Sequence, residues 1–123
     1  MKIEILNNRS KRDPSSFKAW HPHDEMIDAH VVDAETLGEL PKQGMKVFKK
    51  FENKLIELIA RHNETISMIG MTRFNERSVS MFRLVSDALE AEIIMTTEIL
   101  NDYLDKALDD ARRIKRMKNK KAA

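Results

Sequence analysis

The chain has 123 residues, enough for one domain, and 41% of them are apolar, which is enough for a core. Three Gly and three Pro are too few for a fold of many strands and tight turns. The absence of Cys excludes disulfides, thiolate metal ligands and a cysteine nucleophile.

The formal net charge of +2 is unevenly distributed along the chain. Residues 1–19 carry five basic and two acidic side chains, residues 20–110 carry ten and eighteen, and residues 111–123 carry seven and none. This pattern predicts an acidic body with a basic C-terminal tail.

Residues 1–22 have the composition of a flexible N-terminal arm, because the central NNRSKRDPSS is polar and contains Pro14. The apolar KIEIL at residues 2–6 has two other interpretations. It could form a short edge strand, or it could pair with another chain. Five residues do not decide between them.

Residues 23–117 are predicted to form a helical domain that begins with a short helix over Asp24–Leu40. Ile27, Val31 and Ala34 fall on one face of that helix. His23 or Asp24 could cap its start, and Pro41 should end it.

Two longer helices follow, each marked by apolar residues at alternating three- and four-residue steps. The second helix is predicted from Pro41 or Lys42 to Ile69. Gly70 is the expected turn, although a helix that continues through it is the alternative. Thr72 or Asn75 should cap the third helix, which runs to Met117.

The predicted fold class is all-α: a long antiparallel helical hairpin plus a shorter N-terminal helix, in an oligomeric bundle. A disordered N-terminal arm and a basic tail at residues 118–123 complete it. Self-association is expected because the apolar faces of the two long helices are broad. The residues assigned to the core and to the interface between copies are Phe48, Leu55, Ile59, His62, Ile66, Phe82, Leu89, Ile93, Leu100 and Tyr103.

The stretch HPHDEMIDAH, residues 21–30, has three of the four histidines and raises the question of a metal site. His23 and His30 are seven residues apart, about 10 Å along a helix, with no hard-metal ligand between them on that face. We therefore interpret the stretch as a polar helix entrance, with the metal site as the alternative.

Motifs for catalysis are absent from the sequence. No Glu stands three residues before a His, HExxH does not occur, and neither does GxSxG or a glycine-rich phosphate loop. We predict no catalytic residues, no metal and no cofactor. His62, on the apolar stripe, is expected to be buried and hydrogen-bonded across the bundle, with a pH-responsive interface as the alternative.

The leading functional prediction is a non-enzymatic, self-associating assembly or regulatory adaptor that binds protein partners. The alternative is a nucleic-acid-binding accessory protein whose tail and N-terminal arm contact phosphates. No segment approaches the ~18 apolar residues of a membrane span, and no signal peptide is evident, so a cytoplasmic location is expected. The tail residues assigned to nucleic acid or an acidic partner are Arg112, Arg113, Lys115, Arg116, Lys118, Lys120 and Lys121.

Overall fold

The computed structural model describes residues 2–7, 22–32 and 34–122. Two long helices dominate it: α1 spans Lys42–Met71 and α2 spans Glu76–Ala122. The mostly helical character and the two long helices predicted from the sequence are confirmed. The elements before them are strand β1 (Lys2–Asn7), a 3₁₀ turn (Pro22–Glu25), strand β2 (Ile27–Val32) and a 3₁₀ segment (Ala34–Glu39).

Helix α1 begins directly after Pro41, whose extended backbone suits an N-cap position. The carbonyl of Pro41 accepts the first helical bond, from the Met45 N–H at 2.9 Å. At the other end, both the backbone N–H and the hydroxyl of Thr72 donate to the Met68 carbonyl, which completes the last turn.

Residues 72–75 turn the chain back on itself. The side-chain oxygen of Asn75 accepts the Ser78 N–H at 3.1 Å, so Asn75 is the N-cap of α2, one of the two candidates from the sequence. The turn predicted at Gly70 is wrong, because Gly70 lies inside α1. A Cβ at Gly70 would lie 2.5 Å from Cγ of Pro22, so glycine provides close packing there instead of a left-handed cap.

The short helix predicted over Asp24–Leu40 is also wrong. The structure has the 3₁₀ turn, β2 and the 3₁₀ segment in its place. Ile27, Ala29 and Val31 point inward and Asp28 and His30 outward, which is the two-residue period of a strand. Apolar residues at positions 27 and 31 are compatible with the two-residue period of a strand and with the period of a helix, so the apolar pattern alone could not distinguish a strand from a helix.

Strands β1 and β2 pair antiparallel, from Lys2 opposite Val32 to Asn7 opposite Ile27. The edge-strand interpretation of KIEIL therefore holds, and the partner strand belongs to the same chain. The flexible arm predicted for residues 1–22 does not apply to Lys2–Asn7, and residues 8–21 lie outside the described part.

The hydrophobic core lies between the two helices and the inner face of the sheet. Along α2, Leu104 and Leu108 are fully buried, whereas the predicted Tyr103 is half-buried; strand β1 also packs on this helix. The fully buried apolar side chains of this core are Ile3, Ile27, Leu40, Phe48, Leu55, Leu58, Ile93, Leu100, Leu104 and Leu108.

The two helices have 47 and 30 residues, a difference of 17, or roughly 25 Å at 1.5 Å per residue. Glu39, just before α1, forms a salt bridge with Arg112 at 2.8 Å, so the preceding segment reaches this far along α2. Beyond Arg112 the described side chains of α2 are exposed. The C-terminal part of α2 is thus a single helix that extends past the body.

Replacement of Gly70 by Ala tests the contact with Pro22. Inside a helix this change normally stabilises by up to ~1 kcal/mol. Overpacking against the Pro22 ring should instead cost about 1–3 kcal/mol, so we expect a net loss in the free energy of unfolding measured in urea. The control is Gly44→Ala in the same helix, where the nearest contact is an ordinary 3.5 Å and a gain is expected. Equal gains for both variants would contradict the close packing.

Candidate protein-interaction surface

Two asparagines attach the sheet to the helices. Asn63 on α1 accepts the Ile27 N–H and donates to the Ile27 carbonyl, both at 2.9 Å. Asn101 on α2 accepts the Ile3 N–H at 2.9 Å and donates to the Ile3 carbonyl at 3.1 Å. Each amide therefore pairs with backbone groups at an outer edge of the sheet, one edge per helix.

His62 is buried, as predicted, but its hydrogen-bond partner is its neighbour Asn63 and not a residue across the bundle. The two bonds to Ile27 fix which end of the Asn63 amide is oxygen. That oxygen lies 3.0 Å from Nδ1 of His62 and can only accept, so the imidazole carries a hydrogen on Nδ1. His62 thus supports the asparagine that holds β2.

The 3₁₀ turn Pro22–Glu25 joins both helices near the hairpin turn. Pro22 packs on Gly70 of α1, and Glu25 forms a salt bridge with Arg83 of α2 at 2.6 Å. The Glu25 carboxylate is nearly buried, so this pair is shielded from solvent more than a surface ion pair. The N-terminal segments are therefore held to the hairpin along its length.

Within one copy of the chain, the ten residues assigned to the core and interface are either buried or half-buried. Phe48, Leu55, Ile66, Ile93 and Leu100 are buried. Of the others, His62 is buried and Ile59, Phe82, Leu89 and Tyr103 are half-buried. Six of the ten are therefore buried within a single copy, and the other four keep part of their surface exposed.

Helix α2 has a second apolar face, which is exposed. We define the α2 stripe as Met81, Leu84, Val85, Ala88, Ala91, Met95 and Ile99. The exposed fractions of its large side chains are 63% for Met81, 73% for Leu84, 49% for Val85, 60% for Met95 and 52% for Ile99. With 3.6 residues per turn, the stripe lies roughly 140° around the helix from the buried Ile93, Leu100 and Leu104.

The α2 stripe is long enough to contact another protein over several helical turns. It covers 18 residue steps, or about 27 Å of helix. Isolated exposed apolar residues are normal on a protein surface, but contiguous apolar patches of this kind mark interaction sites. The acidic residues that accompany it on α2, such as Glu98, Asp102 and Asp105, are exposed, as expected for a solvated face.

The predicted tail residues lie on the end of α2, which continues as helix to Ala122. Arg112 is paired with Glu39, and Arg113 lies 3.8 Å from Asp110. Lys115, Arg116, Lys118 and Lys120 are exposed, and the side chain of Lys121 is outside the described part. The exposed members surround a single helix and do not converge on one point.

A shallow apolar groove of about 330 Å³ lies between β2 and α1. Its floor includes Leu55, Ile56 and Ile59, and its polar lining residues are Asp28, His30 and Glu52. His30 also lies 3.7 Å from Glu4 on the neighbouring strand. The groove holds no arrangement of nucleophile and base among its lining residues.

The described residues form neither a metal site nor a membrane span. Within them, no three His, Asp or Glu side chains come close enough together to hold a metal ion. His21 and the side chain of His23 are outside that part of the chain, so the metal alternative for residues 21–30 is not tested at those positions. In the described helices, no segment is long and apolar enough to cross a bilayer.

Compared with known proteins, the chain matches no family model, no curated protein and no solved structure. The proposed function therefore rests on the surfaces described above.

Asn63, Asn101 and the α2 stripe were not predicted from the sequence. The asparagines carried no local signal, because their partners are 36 and 98 residues away. The stripe did carry one: Met81, Val85, Ala88, Glu92, Met95 and Ile99 follow four- and three-residue steps of their own. This second spacing is less regular than the heptad pattern on the core side of the same helix, because Glu92 interrupts it, so the heptad pattern dominated the prediction.

Asn63→Ala and Asn101→Ala should each destabilise the chain. Each change leaves one N–H and one carbonyl of a buried isoleucine without its partner, which should cost about 1–3 kcal/mol in the free energy of unfolding. The control Asn53→Ala alters an exposed asparagine of α1 and should change stability by less than about 0.5 kcal/mol. Urea titrations measure all three, and a loss no larger than that of the control would contradict the attachment.

Proposed function

We propose that this protein is a non-enzymatic, self-associating assembly adaptor that acts through protein–protein contacts. The observation that supports the proposal is the α2 stripe, an exposed apolar face on the helix that also supplies four of the ten fully buried apolar core side chains. In this proposal the buried face stabilises the single copy, and the exposed face binds another chain.

The size of the stripe agrees with a contact of moderate strength. Burying one large apolar side chain completely stabilises by about 1.5–3 kcal/mol. Two stripes together have ten such side chains, five per copy, and each is about half exposed or more in the single copy. Their burial in a complex would therefore contribute on the order of 10 kcal/mol. Association itself costs an estimated ~4–15 kcal/mol. With a cost at the low end of that range, about 6 kcal/mol remains, so we expect a concentration-dependent complex with a Kd of tens of micromolar or weaker.

Light scattering coupled to size exclusion tests the proposal directly. We expect the apparent mass to rise above the 14.3 kDa of one copy as concentration increases from about 10 μM to about 1 mM. A mass that stays at one copy across this range would contradict self-association.

Met95→Lys tests whether the stripe carries the contact. A buried lysine in the interface should weaken association by at least about tenfold, because the ammonium must lose water. Ile94→Lys is the matched control: Ile94 is the adjacent residue, is 44% exposed and lies outside the stripe. Thermal melts of both variants check the fold. Equal association of the two variants would place the interface elsewhere.

A second candidate function is nucleic-acid binding by the basic end of α2, favoured by the exposed Lys115, Arg116, Lys118 and Lys120 on a helix that extends past the body. Phosphate contacts of this kind release counterions and make binding strongly dependent on salt. The two candidates are compatible, because the stripe and the basic end lie on different parts of α2.

The test of the second candidate uses duplex DNA titrated across a salt series. If these four side chains contact phosphates, their replacement by Gln should reduce the slope of log K against log salt by about 0.9 for each phosphate that is no longer neutralised. The control replaces four exposed lysines of α1 by Gln: Lys46, Lys49, Lys50 and Lys54. No binding at low salt, or equal slopes for both variants, would exclude the basic end as a DNA site.

A further inference from the structure

We propose that the occupant of the α2 stripe is a second copy of the same stripe, packed antiparallel about a two-fold axis near residue 90. This inference rests on the proposed self-association and specifies its geometry. The sequence order of the stripe, the positions of its charges and the size of its central residues support it.

The stripe is nearly symmetric about position 90. Met81 and Ile99 lie nine residues before and after it, and Val85 and Met95 lie five residues before and after it. An antiparallel partner centred there places Met81 opposite Ile99 and Val85 opposite Met95, whereas Leu84 is level with the buried Thr96 and has no large apolar counterpart. The alternating steps of four and three residues are those of helices that pack side by side over several turns.

The charges at the two ends favour the antiparallel arrangement. Arg77 lies 13 residues before position 90 and Asp102 lies 12 residues after it, and both side chains are exposed on the line of the stripe. In the antiparallel pair, Arg77 of each copy meets Asp102 of the other within about 1.5 Å along the helix axis. A parallel pair would place Arg77 against Arg77 and Asp102 against Asp102, which is repulsive.

The centre of the stripe has small residues and a single charge. Ala88 and Ala91 are exposed and leave room for two helices to approach closely. Glu92 interrupts the apolar stripe next to them. With the axis at position 90, Glu92 of one copy faces Ala88 of the other, whereas a parallel pair would bring two Glu92 carboxylates together. The charged residues at the centre and at the ends of the stripe therefore both favour the antiparallel arrangement over the parallel one.

The absence of Cys makes the geometry measurable with single cysteines. Met81→Cys and Ile99→Cys are made separately in the full chain, mixed and mildly oxidised. In the antiparallel pair, the mixture should form a disulfide-linked heterodimer seen by mass spectrometry. Met81→Cys alone should not crosslink, because its two copies lie about 27 Å apart along the axis. Crosslinking of Met81→Cys with itself would overturn the antiparallel arrangement and leave self-association intact.

Charge reversal supplies an independent readout by light scattering. Arg77→Glu and Asp102→Arg should each weaken association by roughly tenfold, since each change replaces two attractive pairs by repulsive ones. The double variant should recover most of the original affinity. Absence of rescue, or no crosslink in the mixture while the chain still associates, would overturn the proposed register. A chain that is monomeric at every concentration would overturn the proposed function as well.

Discussion

The attachment of a two-stranded sheet to a helical hairpin by two asparagine amides is the interaction on which the rest of the structure depends. A two-stranded sheet is marginal by itself in water, so β1 and β2 need the hairpin beneath them. Asn63 and Asn101 satisfy backbone groups at the two outer edges, while Ile3 and Ile27 bury their side chains against the helices. The same two residues, Ile3 and Ile27, are thus held both by hydrogen bonds to their backbone groups and by burial of their side chains.

This attachment divides the surface of α2 between two roles. One side of the helix is occupied by α1 and β1, which bury Ile93, Leu100 and Leu104. The opposite side keeps Met81, Leu84 and Met95 exposed. A helix that is apolar on two faces has surface for more than one packing partner, and within one copy the described elements cover only the first of these faces. The second face is therefore the basis of the proposed assembly.

The sequence predicted the long helices well because their signals are local. Heptad spacing, Pro41 before α1 and Asn75 before α2 each act within a few residues. The sheet was missed because its evidence is distant: β1 and β2 are separated by some twenty residues, and Ile27 and Val31 fit a helix as well as a strand. Gly70 was misassigned because only the tertiary contact with Pro22 shows why a side chain is not tolerated there.

The bond between Ile3 and Asn101 joins residues 98 positions apart in sequence, and this separation has a consequence for folding. During synthesis β1 is made long before its partner on α2, so its bonds to Asn101 can form only after that part of α2 has been made. Contacts of such high sequence separation form late and slowly compared with the neighbouring turns of a hairpin. The hairpin should therefore be the folding nucleus, and docking of β1 the closing step.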